Sequence, residues 1–420
     1  MKFKPNPLLY GANAQFYSTF RLAIRLKERV DYSLLCCSVA QTMVRYPYFC
    51  VSPNREGENL VLHHNTAPVP VFPDDRTATL GSDAANGHLV SFGCKDKTIF
   101  IDVSHYLADG MGVYPLMKSL LFQYISQGCG SEGLEIESIR TPDSLVCGEE
   151  FAYPFPESVI NAEEAVLLPE PPKEVSSLDS DAFDKDGLYA YHLRIPQRAM
   201  MAKASSSDGS PVSFLSVLLY RAIHRVDGNI DKPVVAHVQH QYRPVLGVPM
   251  NHHSLVSYIP VVLSPRLRNW NVEKQNTVVR GQVILKGGND ADVEAVNRLV
   301  EAFPTDASFA DKRSAMARYA ENSTQGKTFG ISYVGKMDWS GLDRYVDDLH
   351  VYIGEKHTDN MLLIEVMTVG EDFSLTFMQS GKGEKYLNAF LDQIRALNIP
   401  VRLVGEERYA LCNTTLSGKE

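Results

Sequence analysis

Hydrophobic positions recur along this chain with two different periods, and their alternation predicts layers of helix and strand. From Asp31 to Tyr46, the segment DYSLLCCSVAQTMVRY places Leu34, Leu35, Val39, Met43 and Val44 on one helical face behind an Asp31 cap. Pro47 should stop that helix. Two short extended pieces follow, NLVLHH and HLVSFGC, and then TIFIDVSH, a β-branched and aromatic run with strand character. Beyond the turn ADGMG a helical period returns between Val113 and Gln127, through Leu116, Leu120, Leu121 and Tyr124, and closes at Gly128. Such alternation predicts an α/β layer.

The pattern breaks between about Thr141 and Gly187, where proline, acidic residues and serine dominate PDSLVCGEEFAYPFPES and LPEPPKEVSSLDSDAFDKDG. That composition predicts a crossover linker. Elements then restart: GLYAYHLRIP reads as a strand, and SPVSFLSVLLYRAIHRV as a helix opening on Ser210 and Pro211. Strands PVVAHVQHQYRP and SLVSYIPVVLS come next, followed by helices over roughly 291–303 and 306–321. The chain closes with FGISYVG, a hairpin in LLIEVMTVGEDFSLTFMQ and a helix from about Glu384 to Leu397. Because a single core stops growing near roughly 250–300 residues, 420 residues should divide. The expected units are 1–140, a crossover over 141–187, and 188–420. No fixed period of the solenoid kind recurs.

Composition narrows the class. With 44% hydrophobic and 22% charged residues the chain reads as globular. Its net charge of −9 is spread out, with no Lys/Arg-rich stripe to meet a phosphate backbone, so nucleic acid is not an expected partner. Seven cysteines, at 36, 37, 50, 94, 129, 147 and 412, form an odd set with no CxxC pair. Reduced thiols in a cytoplasmic protein are the expectation. No apolar run has signal-peptide character or approaches the about 18 residues of a membrane span.

The sharpest chemical signal is His105-Tyr106-Leu107-Ala108-Asp109-Gly110, placed where a buried strand gives way to a turn and a helix. A purely structural role is open to it, with Asp109 capping the helix and Gly110 making the turn. Pro115 argues against that role. Confined to a first turn, it moves the cap to about Gly112 and leaves Asp109 without that job. Gly110 and Gly112 would admit a close backbone approach by substrate, or serve the turn alone.

This string resembles that of the HxxxDG acyltransferases, which include chloramphenicol acetyltransferase, alcohol acetyltransferases, plant hydroxycinnamoyl-type transferases and peptide-synthetase condensation domains. Besides VSHYLADG, the resemblance rests on Val44-Arg45-Tyr46-Pro47-Tyr48-Phe49, PVSFLSVLLYRAIHR, QHQYRPVLG and ISYVG, all in the family's order. Two features depart from it. Ser104 stands where condensation domains carry a first histidine, which favours a free-standing transferase. The DFGWG string of the plant branch is missing, Val334-Gly335-Lys336-Met337-Asp338-Trp339 being the nearest region.

The resemblance implies an α/β fold of two chloramphenicol acetyltransferase-like domains, each a mixed sheet with flanking helices, enclosing a central tunnel. It also implies acyl transfer to a hydroxyl or amine from a thioester, with coenzyme A thioester as co-substrate and no permanently bound cofactor. A donor on an acyl carrier protein is the alternative, and a non-catalytic binding relative is the rival from another class. The neutral imidazole of His105 suits a general base, its unperturbed pKa being about 6.5. The family's aspartate turns away from the acceptor to pair with an arginine of the second domain, which is the role implied for Asp109. Arg243, in the matched QHQYRPVLG, is the candidate for that partner; a period of two along PVVAHVQHQYRP puts His237, Gln239, Gln241 and Arg243 on one polar face, which suggests a wet channel, a solvent-facing edge strand with an unpaired arginine being the other reading. By family position Ser332 is the candidate oxyanion or substrate contact, with a packing role equally open.

Strand parity sends His237 and His240 to opposite faces, so these two with His252 and His253 are not an expected metal site. His63 and His64 read as a surface pair. No GxxxxGK[ST] or GxGxxG follows a strand, and no nucleotide cofactor is implied. With both halves in one chain, a monomer is expected.

Overall fold

The computed structural model of the 420-residue chain describes residues 1–13, 15–160, 172, 174–184, 187–228, 230–354 and 360–416. The first part runs β1 (Lys2–Phe3), β2 (Thr19–Leu26), α1 (Tyr32–Arg45), β3 (Val51–Glu56), β4 (Asn59–His64), β5 (Val71–Phe72), β6 (Val90–Lys95), β7 (Thr98–Ser104) and α2 (Gly110–Cys129). After the crossover come β8 (Leu188–Pro196), α3 (Gln197–Ser206), α4 (Pro211–Asp227), β9 (Val234–Gln241), α5 (Arg243–Leu246) and β10 (Val256–Leu263). Helices α6 (Val272–Lys286), α7 (Asn289–Ala302) and α8 (Phe309–Thr324) follow. The end comprises β11 (Phe329–Tyr333), β12 (Val346–Tyr352), β13 (Leu362–Val369), β14 (Asp372–Ser380), α9 (Lys385–Ala396) and β15 (Arg402–Tyr409).

Among the described residues the strands make three sheets, ordered β1-β4-β3, β12-β2-β7-β6-β5 and β10-β9-β11-β13-β14-β8-β15. The sequence of β2, TFRLAIRL, explains the middle sheet. Phe20, Leu22, Ile24 and Leu26 enter one core with Leu35 and Val39 of α1 and Leu116 and Leu120 of α2. On the opposite face Arg21 meets the buried Asp102 of β7 at 2.7 Å. The large sheet covers its own core, where β13 and β14 pack with Phe214 and Leu218 of α4 and Phe390 and Ile394 of α9.

Two lobes thus form, but the expected boundary at residue 188 does not separate them in space. Strand β12 lies far into the second half of the chain, yet it pairs antiparallel with β2, Leu349 opposite Ile24. The end of the chain also returns to the first lobe: Thr414 N donates to Ser18 Oγ (2.6 Å) and Thr415 N to Leu80 O (2.8 Å). Neither β2 nor β12 was among the expected strands.

The crossover is a packed strap as far as residue 160. Glu150 is buried under Arg45 (2.7 Å), Arg140 (3.1 Å) and the Tyr48 hydroxyl (2.5 Å). Its main-chain oxygen accepts from His252 N at 3.0 Å, tying the strap to the second half. Residues 161–171, the proline-rich core of the expected linker, lie outside the described residues.

Helix ends shift from expectation where caps decide them. Ser308 accepts from Asp311 N (3.2 Å), so α8 starts at Phe309 rather than at 306. More consequential is α2, which starts at Gly110 and not Val113. No helix among the described residues is long and apolar enough to cross a membrane.

Candidate active site

His105 follows directly on β7, in the turn that leads into α2. Its main-chain N–H donates to Ser18 O (2.7 Å), which holds the turn against the segment before β2. The imidazole is half-buried, with its edge against Phe20 at a centroid distance of 5.1 Å. Nδ1 lies 3.2 Å from Ser254 Oγ. With Nδ1 so engaged, Nε2 is the nitrogen left for a ligand. Burial, opposed by Asp109 and the residue's own main chain, lowers the pKa below the ordinary histidine value, so the ring is neutral near pH 7.

Asp109 is fully buried and saturated. Its Oδ1 accepts from Gly112 N (2.8 Å) and Arg243 Nη2 (2.6 Å), its Oδ2 from Arg243 Nη1 (2.8 Å) and Leu255 N (2.8 Å). The expectation that Pro115 deprives Asp109 of a capping role is therefore wrong. Asp109 caps α2 while it pairs with Arg243, and Pro115 sits inside the helix, where a single backbone hydrogen bond is forgone. Arg243 spends its other donors on Asn251 O (3.1 Å) and His253 O (2.8 Å). The chain turns at Tyr242 into α5, so Arg243 reaches Asp109 from beyond the end of β9 rather than from its face.

The two glycines separate. A Cβ on Gly110 would meet only Val334 Cγ1 at 3.8 Å, whereas one on Gly112 would fall 2.0 Å from His252 O. The close approach is made by the protein's own 251–255 loop. His252, which packs on Tyr48 (4.7 Å), and His253 are buried and neutral, their pKa values lowered chiefly by burial. His63 bonds to Glu56 across β3 and β4 at 2.7 Å.

Two cavities adjoin at His105, with empty volumes of about 1010 and 1390 Å³ including their mouths. His105, Gln239, Val256, Ser332, Ile353 and Glu365 line both. The first runs between α2 and the segment after β11 and is apolar, with Met111, Met117, Met337 and Met367 in its wall. The second extends toward α7, α8 and β10 and carries His237, Ser257, Tyr258 and Lys327. His237 and Gln239 of the predicted polar face line this second arm, while His240 lines the first and bonds to Asp292 (3.1 Å). Among the described residues no group of three or more His, Cys, Asp or Glu side chains is placed to hold a metal.

Ser332 lies on β11 in register with Glu365 of β13, which makes its hydroxyl the hydrogen-bonding neighbour of that carboxyl. Neither Glu365 nor Ser254 was singled out in the sequence. A lone acid within LLIEVMTV is the signal that could have found Glu365; Ser254 carries none, because its place beside His105 depends on the loop that Arg243 holds.

No family model and no curated protein matches this chain. Solved structures match it in shape. Polyketide synthase associated protein 5 from Mycobacterium tuberculosis superposes with a TM-score of 0.60 at 12% identity, over 93% of this chain and 96% of that one. TRI101 of F. graminearum, complexed with coenzyme A and T-2 mycotoxin, gives 0.56 at 12% identity, over 94% and 97%. The condensation domain of the monacolin K polyketide synthase MokA gives 0.54 at 10% identity, over 94% and 96%. The chain accordingly has the two-lobed chloramphenicol acetyltransferase-like fold that these structures share.

Proposed function

We propose that the protein is an acyltransferase that moves an acyl group from a thioester, coenzyme A being the carrier, to a hydroxyl or amine, with His105 as general base. The observation that carries this reading is the place of His105: one imidazole, neutral and held at Nδ1, where two cavities with different walls adjoin. Two substrates entering by separate arms meet there. As the acceptor's lone pair attacks the thioester carbonyl carbon, Nε2 takes its proton and the carbonyl π pair moves onto oxygen. Ser332, which lines both cavities with His105, is assigned the role of donor to that oxyanion. Collapse breaks the carbon–sulfur bond, the thiolate leaves with the proton from His105, and the ring returns to its neutral state. Asp109 takes no part in proton transfer, since its oxygens are occupied; with Arg243 it sets the turn that aims His105.

The choice of coenzyme A is supported by the TRI101 complex, which holds it in the same fold. A thiol-release assay with short and long acyl-CoA donors against a panel of alcohols and amines tests the reading. Release should require both an acceptor and His105. Silence across the panel, with coenzyme A leaving the melting temperature unmoved, would transfer the proposal to a carrier-bound donor or a binding role.

A further inference from the structure

Among the described residues lining the two cavities Glu365 is the one carboxyl, and it lines both. It is 3% exposed, and Oε1 is buried with no hydrogen-bond partner. Its hydrogen-bonding neighbour is Ser332, in register on the adjacent strand and lining the same two cavities. The direction of a hydrogen bond between the two decides what Ser332 can do. If Glu365 is ionised it can only accept, and the serine proton points at it. If Glu365 is a neutral acid it can donate to Ser332 Oγ, and the serine O–H is released toward the channel.

We propose that Glu365 is a positioning residue: as a neutral carboxylic acid it donates to Ser332 Oγ and so turns the Ser332 O–H toward the acyl carbonyl oxygen beside His105. This rests on the acyl-transfer reading and names the source of its oxyanion donor. A buried carboxylate with one bare oxygen and a single hydroxyl beside it is expensive to ionise. Burial accordingly raises the pKa of Glu365 to about 8, with the Ser332 bond opposing the rise. Among the described residues the titratable or charged groups that share the cavities are His105 from the turn before α2, His237 and His240 from β9, Lys327 and Lys336 flanking β11, and tyrosines including Tyr258 and Tyr333. Across the sheet, Glu365 pairs with the uncharged Thr376 on its other side.

The test is the pH dependence of kcat for the parent protein, Glu365→Gln, Glu365→Leu and Ser332→Ala, each first shown to melt cooperatively. The parent rate should fall as pH rises through about 8, where Glu365 ionises and reclaims the serine proton. Glu365→Gln keeps an N–H donor and should restore part of kcat while losing the alkaline fall. Glu365→Leu and Ser332→Ala should each lower kcat by roughly 10²–10³-fold with KM little changed, and the double variant should be no worse than Ser332→Ala. An alkaline fall that persists in Glu365→Gln, or an unchanged kcat in Glu365→Leu, would overturn the assignment while His105-dependent transfer stands. An activity-independent check is the infrared carbonyl band of a protonated acid at neutral pH. It should be present in the parent and lost in Glu365→Gln; its absence from the parent would refute a neutral Glu365 even if transfer proved undetectable.

Discussion

Asp109 carries two duties that the sequence made look exclusive. Reading Pro115 as a first-turn residue freed Asp109 from capping; in the structure the same carboxylate caps α2 and receives the Arg243 fork. Four donors converging on one buried carboxylate outweigh the one helical hydrogen bond lost at proline. Asp109→Ala strands a buried guanidinium, so denaturant unfolding should show a loss of about 3–5 kcal/mol. Arg243→Ala should cost a similar amount, and the double variant well under the sum of the two. An unchanged unfolding midpoint in Asp109→Ala would argue against the pair as a structural brace. His105, Asp109, Arg243 and Ser332 could be named from the sequence because each sits in a short ordered string. Glu365 could have been named from its lone charge in an apolar strand, whereas Ser254 could not, since only tertiary folding brings it to His105.

Elements with clean periodicity were legible, and those whose polar face is buried were not. The α1, α4 and α9 stripes matched their helices to within a few residues. TFRLAIRL alternates just as cleanly, but Arg21 and Arg25 occupy its second face, and only the buried partner Asp102 makes that face compatible with an interior strand. In β12, VDDLHVY, adjacent acids hide the alternation in the same way; Asp348 is satisfied there by Arg194 (3.0 Å) and Ser374 (2.6 Å). At α2 the glycines were legible as a pair but not individually. Gly112→Ala should cost about 1–3 kcal/mol and disturb the 251–255 loop, because its Cβ meets a main-chain carbonyl. Gly110→Ala, with ordinary contact distances, should change stability by less than about 1 kcal/mol, and comparing the two melting temperatures checks both.

At the scale of the whole molecule, the lobes were legible as two α/β stretches around a compositional break, but their interlocking was not. Long-range pairing of β12 with β2 leaves no local trace. Nor does the return of the chain end, where Thr414 Oγ1 donates to Ser104 Oγ at 2.8 Å, immediately before His105. The position at which Ser104 departs from condensation domains is thus filled by a bond to the C-terminal segment. Ending the chain at Ala410 should remove that bond, the Ser18 bond and the burial of Leu411 and Cys412, lowering stability by on the order of 2–4 kcal/mol and reducing turnover. A melting curve and a rate equal to those of the full chain would show that the segment does not brace the site. The most direct measurement of the central claim is mass-spectrometric detection of acylated acceptor formed from acyl-CoA, comparing the parent protein with His105→Ala of unchanged melting temperature. Product from the parent, reduced by roughly 10²–10⁴-fold or lost in His105→Ala, is the expected result; equal product from both would contradict His105 as the base.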